Sequence, residues 1–241
     1  MALDIELSNL LEEGAKYYGK EITNGQIEQF TEYMELLKEW NKNINLTAIE
    51  DDREIIIKHF IDSLSILPYV KDENKTLIDV GTGAGFPGIP LKIINKNIDV
   101  TLLDSLEKRV KFLKEVIKVT NIESIKAVHG RAEDMGVNPN FREKYDIAVA
   151  RAVANLPVLL EYCLPFVKIN GIFIAMKGSN IEELNNSSKA LDILGGKIEK
   201  IEKMELPFTN IERNVVVIRK FRHTPTKYPR KAGKPGKEPL I

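Results

Sequence analysis

The first 70 residues carry apolar side chains at three- and four-residue steps, the spacing of one face of a helix. One such stripe follows a cap at Thr23 or Asn24 and consists of Ile27, Phe30, Met34 and Leu37. A second stripe follows a polar break at 41–47 and a cap at Asp51 or Asp52, and it consists of Ile56, Phe60, Leu64 and Leu67. Pro68 ends this stripe because proline lacks the amide that a helix needs. We therefore predict a helical extension over residues 1–70.

From Thr76 onward the pattern changes to short β-rich runs that alternate with helical ones, which is typical of βαβ units and a mainly parallel sheet. The predicted strands are 76–80, 99–103, 124–128, 145–150, 171–176, 197–204 and 214–221. Ser105 is the predicted cap of the helix after the second strand, and 181–194 is predicted as a helix. The last two strands lack a crossover helix, so we expect an antiparallel hairpin at one sheet edge. The prediction is an α/β doubly wound domain over residues 71–221.

The composition excludes several classes of protein. Of the 241 residues, 43% are hydrophobic and 29% charged, which suits a buried core and argues against disorder. The longest purely apolar run, 172–176, is far shorter than the roughly 20 residues of a membrane-spanning helix. An acidic amino terminus argues against a secretory signal, and Cys163, the only cysteine, rules out an intramolecular disulfide and a cysteine-built metal cluster. No metal, membrane association or obligate protein partner is expected, and the cytoplasm is the expected location.

Charge is unevenly placed along a chain whose net charge is zero. The segment 219–237 holds eight Lys or Arg and no acid, which leaves residues 1–218 with 27 basic against 34 acidic side chains. Prolines and glycines interrupt regular structure in this segment. We expect a basic, flexible tail over residues 222–241, which either lies along RNA phosphates by charge or is only solvated.

The first strand of the α/β region leads into a glycine-rich turn and then a helix. The turn reads Asp79-Val80-Gly81-Thr82-Gly83-Ala84-Gly85-Phe86-Pro87-Gly88. Glycines let the backbone take positive φ and approach a ligand without a Cβ in the way. Ligands of open α/β sheets bind past the carboxyl ends of the strands. This turn is therefore the predicted cofactor site.

Two cofactor classes compete for the turn. Gly83, Gly85 and Gly88 match G-x-G-x-x-G, which serves a pyrophosphate at a helix amino terminus, although that match alone is weak. The earlier register, Asp79 followed by Gly81 and two further glycines, places a carboxylate at the end of the strand. A fixed anion there suits the ammonium and sulfonium of S-adenosylmethionine and disfavours a pyrophosphate.

Two further carboxylates follow the neighbouring strands. Asp104 closes the second strand, where an acid can bind ribose hydroxyls in either cofactor class. The turn 129–134, after the third strand, contains Glu133 and can present backbone amides and a carboxylate to an adenine edge. A Walker loop is excluded because no Gly-Lys-Ser/Thr follows the glycines.

Together with its flanking sequence, the turn resembles that of one family. The matching stretches are Trp40-Asn41-Lys42-x-x-Asn45-Leu46-Thr47, His59-x-x-Asp62-Ser63, Ile78 to Leu91, Leu102-Leu103-Asp104-Ser105-Leu106-x-Lys108-Arg109 and Lys177-Gly178. From about Trp40 to Lys220 the chain resembles the RsmG family, also called GidB, of small-subunit rRNA methyltransferases. The ending Tyr228-Pro229-Arg230-Lys231-Ala232-Gly233 is similar to the longer-tailed, Gram-positive type of that family.

The resemblance implies a class I S-adenosylmethionine-dependent methyltransferase with a Rossmann-like sheet and a helical amino-terminal extension. It implies transfer of a methyl group to N7 of one guanine in 16S rRNA of the small ribosomal subunit. It also implies contacts to the cofactor from Gly81, Phe86, Ala132, Glu133 and Arg151, with Asp104 on the ribose.

The residues agree with such a reaction. Guanine N7 has an exposed lone pair and no proton, so methyl transfer requires positioning and no general base. Cys163 follows Tyr162 instead of the proline usual for cytosine C5 nucleophiles, and no Asn/Asp-Pro-Pro-aromatic signature of base-amine methylation follows the fourth strand. No acid or base is therefore predicted, and the positioning candidates are Arg151 and His59.

Several roles stay open at this point. Arg151 can reach guanine O6 or a phosphate, or it can hold the methionine carboxylate of the cofactor. His59, Asp62 and Ser63 share one helical face, which meets either the active site or the sheet through a hydrogen-bond network. Two other functions also stay open: an NAD(P)-dependent oxidoreductase that uses the G-x-G-x-x-G register, and an RNA-binding module with a vestigial cofactor site.

Overall fold

A seven-stranded sheet forms the centre of the protein, whose computed structural model describes residues 3–71, 74–151 and 153–241. The strands are β1 (Thr76–Val80), β2 (Asp99–Asp104), β3 (Ile125–His129), β4 (Tyr145–Arg151), β5 (Val167–Lys177), β6 (Gly196–Glu205) and β7 (Glu212–Lys220). Their order in the sheet is β3-β2-β1-β4-β5-β7-β6. The strands β1 to β5 pair in parallel, and β7 runs antiparallel to β5 and β6. The predicted α/β sheet with an antiparallel edge hairpin is confirmed.

Helices cover both faces of the sheet. They are α1 (Ile5–Tyr17), α2 (Asn24–Ile44), α3 (Asp52–Ile55), α4 (Asp62–Leu64), α5 (Gly88–Ile94), α6 (Glu107–Val119), α7 (Ala132–Val137), α8 (Leu156–Cys163), α9 (Ser188–Leu194) and α10 (Lys234–Lys237). A π-helical segment, Ile56–Ile61, joins α3 to α4. Among the helices that the structure describes, none has the length and apolar character that crossing a bilayer requires.

Alternate residues of the central strands divide the apolar interior into two cores. In β4, Ile147 and Val149 belong to the first core, and Ala148 and Ala150 belong to the second, since successive side chains of a strand face opposite sides. The amino-terminal helices, α5 and α6 bury the first core. The second core lies under α8, α9 and the carboxyl-terminal residues.

The predicted helical stripes of the amino-terminal extension face the first core, where Phe30 and Phe60 are fully buried. Thr23 caps α2 through a capping box, in which Gln26 N donates to Thr23 Oγ1 at 3.3 Å and Thr23 N donates to Gln26 Oε1 at 2.9 Å. Asp51 caps α3 by accepting a hydrogen bond from a backbone amide three residues later. The extension therefore shares its core with the sheet.

Some local predictions differ from the structure. Within the described part of the chain no side chain caps α6, and Asp104 Oδ1 accepts the Leu106 amide at 2.9 Å in place of the predicted Ser105 cap. The predicted helix 181–194 divides into a 3₁₀ turn, Glu182–Asn186, and α9. Strand ends differ from the predicted ones by up to four residues, because the side-chain pattern does not mark where backbone pairing stops.

The carboxyl-terminal segment packs against the body of the protein, so the prediction of a flexible tail over residues 222–241 is wrong. Tyr228 and Leu240 are buried in the second core. Five of the eight cations of segment 219–237 pair with carboxylates: Arg219, Lys220, Arg222, Arg230 and Lys234 pair with Glu199, Glu143, Asp192, Glu161 and Glu238. A count of charge along the sequence omits the acids that folding brings alongside, and this omission is the reason for the wrong prediction.

Candidate cofactor and substrate site

The turn after β1 holds three glycines in the left-handed region. The angle φ is +70° at Gly81, +62° at Gly83 and +103° at Gly85, values that residues with a side chain rarely adopt. A Cβ on Gly83 would meet none of the described residues within 4 Å, whereas a Cβ on Gly85 would lie 2.5 Å from Ile89 Cδ1. Gly83 thus keeps the space above the turn open, and Gly85 lets the turn pack against α5.

Asp79, near the end of β1, lies beneath the turn and is fully buried. Its Oδ2 accepts hydrogen bonds from Thr82 Oγ1 at 2.6 Å and from Gly88 N at 2.9 Å. Its Oδ1 accepts none from any residue that the structure describes. Burial raises the pKa of this carboxyl from 3.8 to about 6. Asp79 therefore holds the two ends of the turn together and, above that pKa, places a negative charge behind the glycines.

Asp104, at the end of β2, holds the same turn from the other side. Its Oδ2 accepts a hydrogen bond from Gly83 N at 2.9 Å, and Arg109 NH1 lies 3.6 Å from the same oxygen. A carboxylate can accept more hydrogen bonds than it makes here. The predicted contact of Asp104 with ribose hydroxyls is therefore compatible with this geometry and stays a prediction.

A cavity of about 560 Å³ opens at the carboxyl ends of the strands β1 to β4, where open α/β sheets bind ligands. Of the residues predicted to contact the cofactor, Gly81, Ala132 and Glu133 line this cavity. Part of its wall comes from the carboxyl-terminal segment, through Gly233, Gly236 and Pro239. The sequence carries no signal of that contribution, because it depends on how the end of the chain packs.

Glu133 lies in the first turn of α7 and is 7% exposed, although it faces the cavity. Its Oε1 accepts a hydrogen bond from Gly233 N at 2.8 Å. This contact joins the turn after β3 to a residue 100 positions later in the chain. A backbone amide of the protein thus holds the carboxylate in place.

Arg151 ends β4 in contact with the amino-terminal extension. Its NH1 donates to Lys58 O and to Asp62 Oδ2, both at 3.2 Å, and its NH2 donates to His59 Nδ1 at 3.3 Å. The guanidinium carbon lies 5.0 Å from the centroid of the Phe86 ring, within the range of a cation–π interaction. The predicted helical face with His59 and Asp62 therefore meets the end of β4. We call these side chains the Arg151 cluster.

His59 is held in one tautomer. A guanidinium can only donate, so Nδ1 accepts from Arg151, and the proton of the neutral ring lies on Nε2, 2.7 Å from Thr47 Oγ1. Burial, and after it the positive charge of Arg151, lowers the pKa of His59 from 6.5 to about 3. The ring stacks on Phe86 with a centroid distance of 4.5 Å. His59 is therefore neutral near physiological pH and orients Arg151. Ser63, the third residue of that face, donates instead to His59 O, within its own helix.

Two further side chains contact this site, and the sequence predicts neither contact. Arg213 of β7 donates from Nε to Asp62 Oδ1 at 3.0 Å, so one buried carboxylate lies between two guanidinium groups. Tyr33 of α2 donates its hydroxyl to Ala84 O of the glycine turn. Each contact joins parts of the chain far apart in sequence, so local patterns show Arg213 only as a strand residue and Tyr33 only as a helix residue.

The predicted site residues thus fall into three groups. Those that build the glycine turn are Asp79, Gly83, Gly85 and Asp104. Those that line the cavity are Gly81, Ala132 and Glu133. Those in the Arg151 cluster are Phe86, Arg151 and His59. Phe86, Arg151 and His59 do not themselves line the cavity, but Val153, two residues after Arg151, lines it and lies against Gly81.

Comparison with known proteins agrees with this geometry. The family model GidB, described as rRNA small subunit methyltransferase G, matches residues 26–216. The chain belongs to this family. Ribosomal RNA small subunit methyltransferase G of Acetivibrio thermocellus is 64% identical over 237 residues, which is 98% of each chain. The protein of the same name from Alkaliphilus oremlandii is 54% identical over 239 residues, covering 98% of this chain and all of that one. The family resemblance seen in the sequence is confirmed.

Solved structures give the same fold at low sequence identity. A SAM-dependent methyltransferase from Aquifex aeolicus has a TM-score of 0.54 and 17% identity, covering 72% of this chain and 96% of that chain. M. jannaschii TYW2 in complex with AdoMet has a TM-score of 0.51 and 18% identity, covering 62% of this chain and 71% of that chain. The chain therefore has the α/β fold of class I methyltransferases, as predicted.

Proposed function

We propose that the protein transfers a methyl group from S-adenosylmethionine to N7 of a single guanine in 16S rRNA of the small ribosomal subunit. The observation that carries this proposal is the cavity at the carboxyl ends of β1 to β4, with Gly81 and Glu133 in its wall. Membership of the rRNA small subunit methyltransferase G family supports rRNA as the substrate. N7 carries no proton and so requires no base. This choice fits His59, whose low pKa makes the ring a poor base that stays neutral.

The residues fit S-adenosylmethionine in charge and in shape. Gly83 keeps open the space that a Cβ would take. Asp79 places a carboxylate behind the turn, which favours a sulfonium and an ammonium over a pyrophosphate. Asp104 holds the turn through the Gly83 amide, and Glu133 supplies a carboxylate in the cavity wall. Asp79 Oδ1 is a buried acceptor with no partner among the described residues, and buried acceptors are normally paired. We propose that Gly81, Ala132 and Glu133 hold the cofactor in the cavity.

The protein's part in the reaction is to align the guanine with the cofactor, whose sulfonium makes the methyl group electrophilic. Guanine N7 has no proton to lose, so no residue has to act as a base. His59 fits this requirement, because its low pKa keeps the ring neutral and its Nδ1 already accepts from Arg151. The alignment of Arg151 therefore depends on a ring that does not change charge near neutral pH.

Arg151, at the end of β4, has N–H donors left over for a ligand. Its contacts with Lys58, Asp62 and His59 fix its plane but use only some of its N–H donors. We propose that the remaining donors hold the methionine carboxylate of the cofactor. The alternative is a bidentate contact with guanine O6 or a phosphate of the RNA.

The experiment that tests the proposed function is incubation of the protein with methyl-labelled S-adenosylmethionine and isolated small subunits, naked 16S rRNA or tRNA. We expect label at one guanine of 16S rRNA, in a form that makes the strand cleavable by the chemistry specific for N7-methylguanine. A Gly83→Val variant is the control for cofactor-dependent label. Label confined to tRNA, or resistant to that cleavage, would contradict the proposal.

The same geometry weighs against the two other functions. A vestigial cofactor site does not require three glycines at positive φ or an open cavity beside them. An oxidoreductase would have to seat a pyrophosphate at the glycine turn in front of Asp79, where the negative charge repels it. Binding of NAD in preference to S-adenosylmethionine would favour that function over ours.

A further inference from the structure

The carboxyl-terminal segment, residues 224–241, is attached to the body next to the cofactor cavity. At the first attachment, Arg142 NH1 donates to Gly136 O and Tyr228 O, both at 2.8 Å, and NH2 donates to Thr224 O at 2.6 Å. One guanidinium therefore fixes the start of the segment against the end of α7. The Tyr228 side chain is buried in the second core beside this contact.

The second attachment is an ion pair with a buried carboxylate. Glu161 of α8 is fully buried. Its Oε1 accepts from Arg230 N at 2.8 Å and from Arg230 Nε at 2.9 Å, and its Oε2 accepts from Arg230 NH2 at 2.6 Å. A buried carboxylate that loses its cation is strongly destabilising. The Arg230 pair therefore holds the middle of the segment in place.

Beyond Arg230 the segment forms a wall of the cavity through Gly233, Gly236 and Pro239. Gly233 has a φ of +80°, and its amide donates to Glu133 Oε1 at 2.8 Å. A Cβ on Gly236 would have Tyr162 Oη, at 3.9 Å, as its nearest neighbour. The wall is thus made of backbone and small residues, which keep room for a ligand beside the carboxylate of Glu133.

We propose that residues 228–240 are part of the S-adenosylmethionine site. They close the cavity on the side of α7 and α8, and the Gly233 amide fixes the Glu133 carboxylate toward the ligand. The identity of the ligand rests on the proposed function. The family model ends at residue 216, so this wall lies outside the region that the model matches. Its role differs from that of an RNA-binding arm, because two cations of these residues, Arg230 and Lys234, pair with carboxylates.

The first test removes the wall and leaves both attachments. A variant lacking residues 232–241 keeps Arg142, Tyr228 and the Arg230–Glu161 pair. Calorimetric titration with S-adenosylmethionine and S-adenosylhomocysteine should give dissociation constants raised by about tenfold or more, the size of one lost hydrogen bond to a charged group. The control is the full chain with Arg222→Gln and Lys227→Gln, which loses two exposed charges of the basic segment outside the wall and should bind both ligands like the wild type.

A second test keeps the whole chain, so that partial unfolding of a truncated protein cannot imitate the result. Gly236→Phe places a side chain next to the cavity and should weaken binding of both ligands, with an unchanged circular dichroism spectrum. Thr226→Phe adds the same ring at an exposed position outside the wall and should leave binding unchanged.

The outcomes separate this proposal from the proposed function. Failure of the wild type to bind either ligand would overturn the proposed function. Wild-type affinity in both the truncated protein and Gly236→Phe would contradict only the proposal that the wall is part of the cofactor site. Normal cofactor affinity with weakened binding of 16S rRNA in the truncated protein would likewise overturn the wall and assign the segment to the RNA.

Discussion

Asp62 Oδ2 lies 3.2 Å from Arg151 NH1, and this contact ties the amino-terminal extension to the end of β4. The other oxygen of Asp62 accepts from Arg213 Nε at 3.0 Å. The Asp62 side chain is only 4% exposed, so its charge is balanced by these two arginines and not by solvent. The extension therefore helps to build the site, because the orientation of Arg151 depends on a helix that lies outside the sheet.

Replacing Asp62 with Asn should destabilise the protein and disturb the site together. Two guanidinium groups would lose their shared anion, and breaking a buried ion pair by removing one partner costs about 3–5 kcal/mol. We expect a loss of this size in urea denaturation and a fall in methyl transfer. The matched control is Asp52→Asn, which breaks the exposed pair with Lys38 and should cost less than about 1 kcal/mol. Equal losses in the two variants would contradict a buried, site-building role.

The parts of this structure that were predictable are those with local causes. The cap at Thr23 depends only on nearby residues, because its hydroxyl accepts from an amide three residues later. The glycine turn after β1 is also local, because a positive φ favours glycine at each such position. The order of strands and helices also follows from local periodicity. These features predict the glycine turn where the structure has it, between β1 and α5.

The parts that were not predictable depend on contacts between distant residues. Arg213 meets Asp62 across 151 positions, and Gly233 meets Glu133 across 100. The basic segment is expected from the sequence to be flexible because its acidic partners lie elsewhere in the chain; Arg230, for example, pairs with Glu161. Pairing of this kind packs a charged segment on the protein, which the charges of that segment alone do not predict.

A β-branched side chain at Gly83 should abolish cofactor binding. Gly83→Val would fill the open space above the turn and would also strain the backbone, where φ is +62°. Gly19→Val separates the two effects, because Gly19 has a φ of +76° and equally open surroundings, away from the site. Both variants should lose about 1–2 kcal/mol of stability from strain, but only Gly83→Val should lose S-adenosylmethionine binding in calorimetry. Normal affinity in a folded Gly83→Val protein would mean that the turn does not hold the ligand.

The pKa of His59 predicts how stability depends on pH. Unfolded His59 binds a proton below 6.5, whereas the folded ring binds one only below about 3. Within this window the unfolded state holds more protons, so the free energy of unfolding falls as the pH falls. The full slope for one such group is about 1.4 kcal/mol per pH unit. Asp79 acts in the opposite direction, since its pKa is raised from 3.8 to about 6.

His59→Gln should remove the first contribution and leave that of Asp79. The variant should therefore lose less stability than the wild type on acidification through the window below 6.5. Urea denaturation at a series of pH values measures the difference, and NMR of the imidazole protons provides a direct check. Parallel stability curves for the two proteins, or a His59 resonance that titrates near its ordinary pKa, would show that the ring is not held neutral.

S-adenosylmethionine or its demethylated product should raise the melting temperature, whereas NAD and NADP should not. The carboxylate of Asp79, behind the turn, attracts a sulfonium and an ammonium and repels a pyrophosphate. A ligand present at ~100 times its dissociation constant adds about 2.7 kcal/mol to the free energy of unfolding. Thermal denaturation with each ligand measures the shift. A shift only with NAD would reverse the cofactor assignment.

Substitution of Arg151 separates its two candidate roles. If Arg151 holds the methionine carboxylate, Arg151→Ala should weaken S-adenosylmethionine binding by about 1.5–3 kcal/mol, the range for hydrogen bonds to charged groups. If it clamps guanine or a phosphate, Arg151→Lys should slow methyl transfer while cofactor affinity barely changes, because lysine keeps the charge but not the planar fork. Calorimetric titration of both variants, with single-turnover methylation of small subunits, decides between these roles. Full affinity and full activity in Arg151→Ala would exclude both and leave Arg151 with a structural role, as the partner of Asp62 and His59.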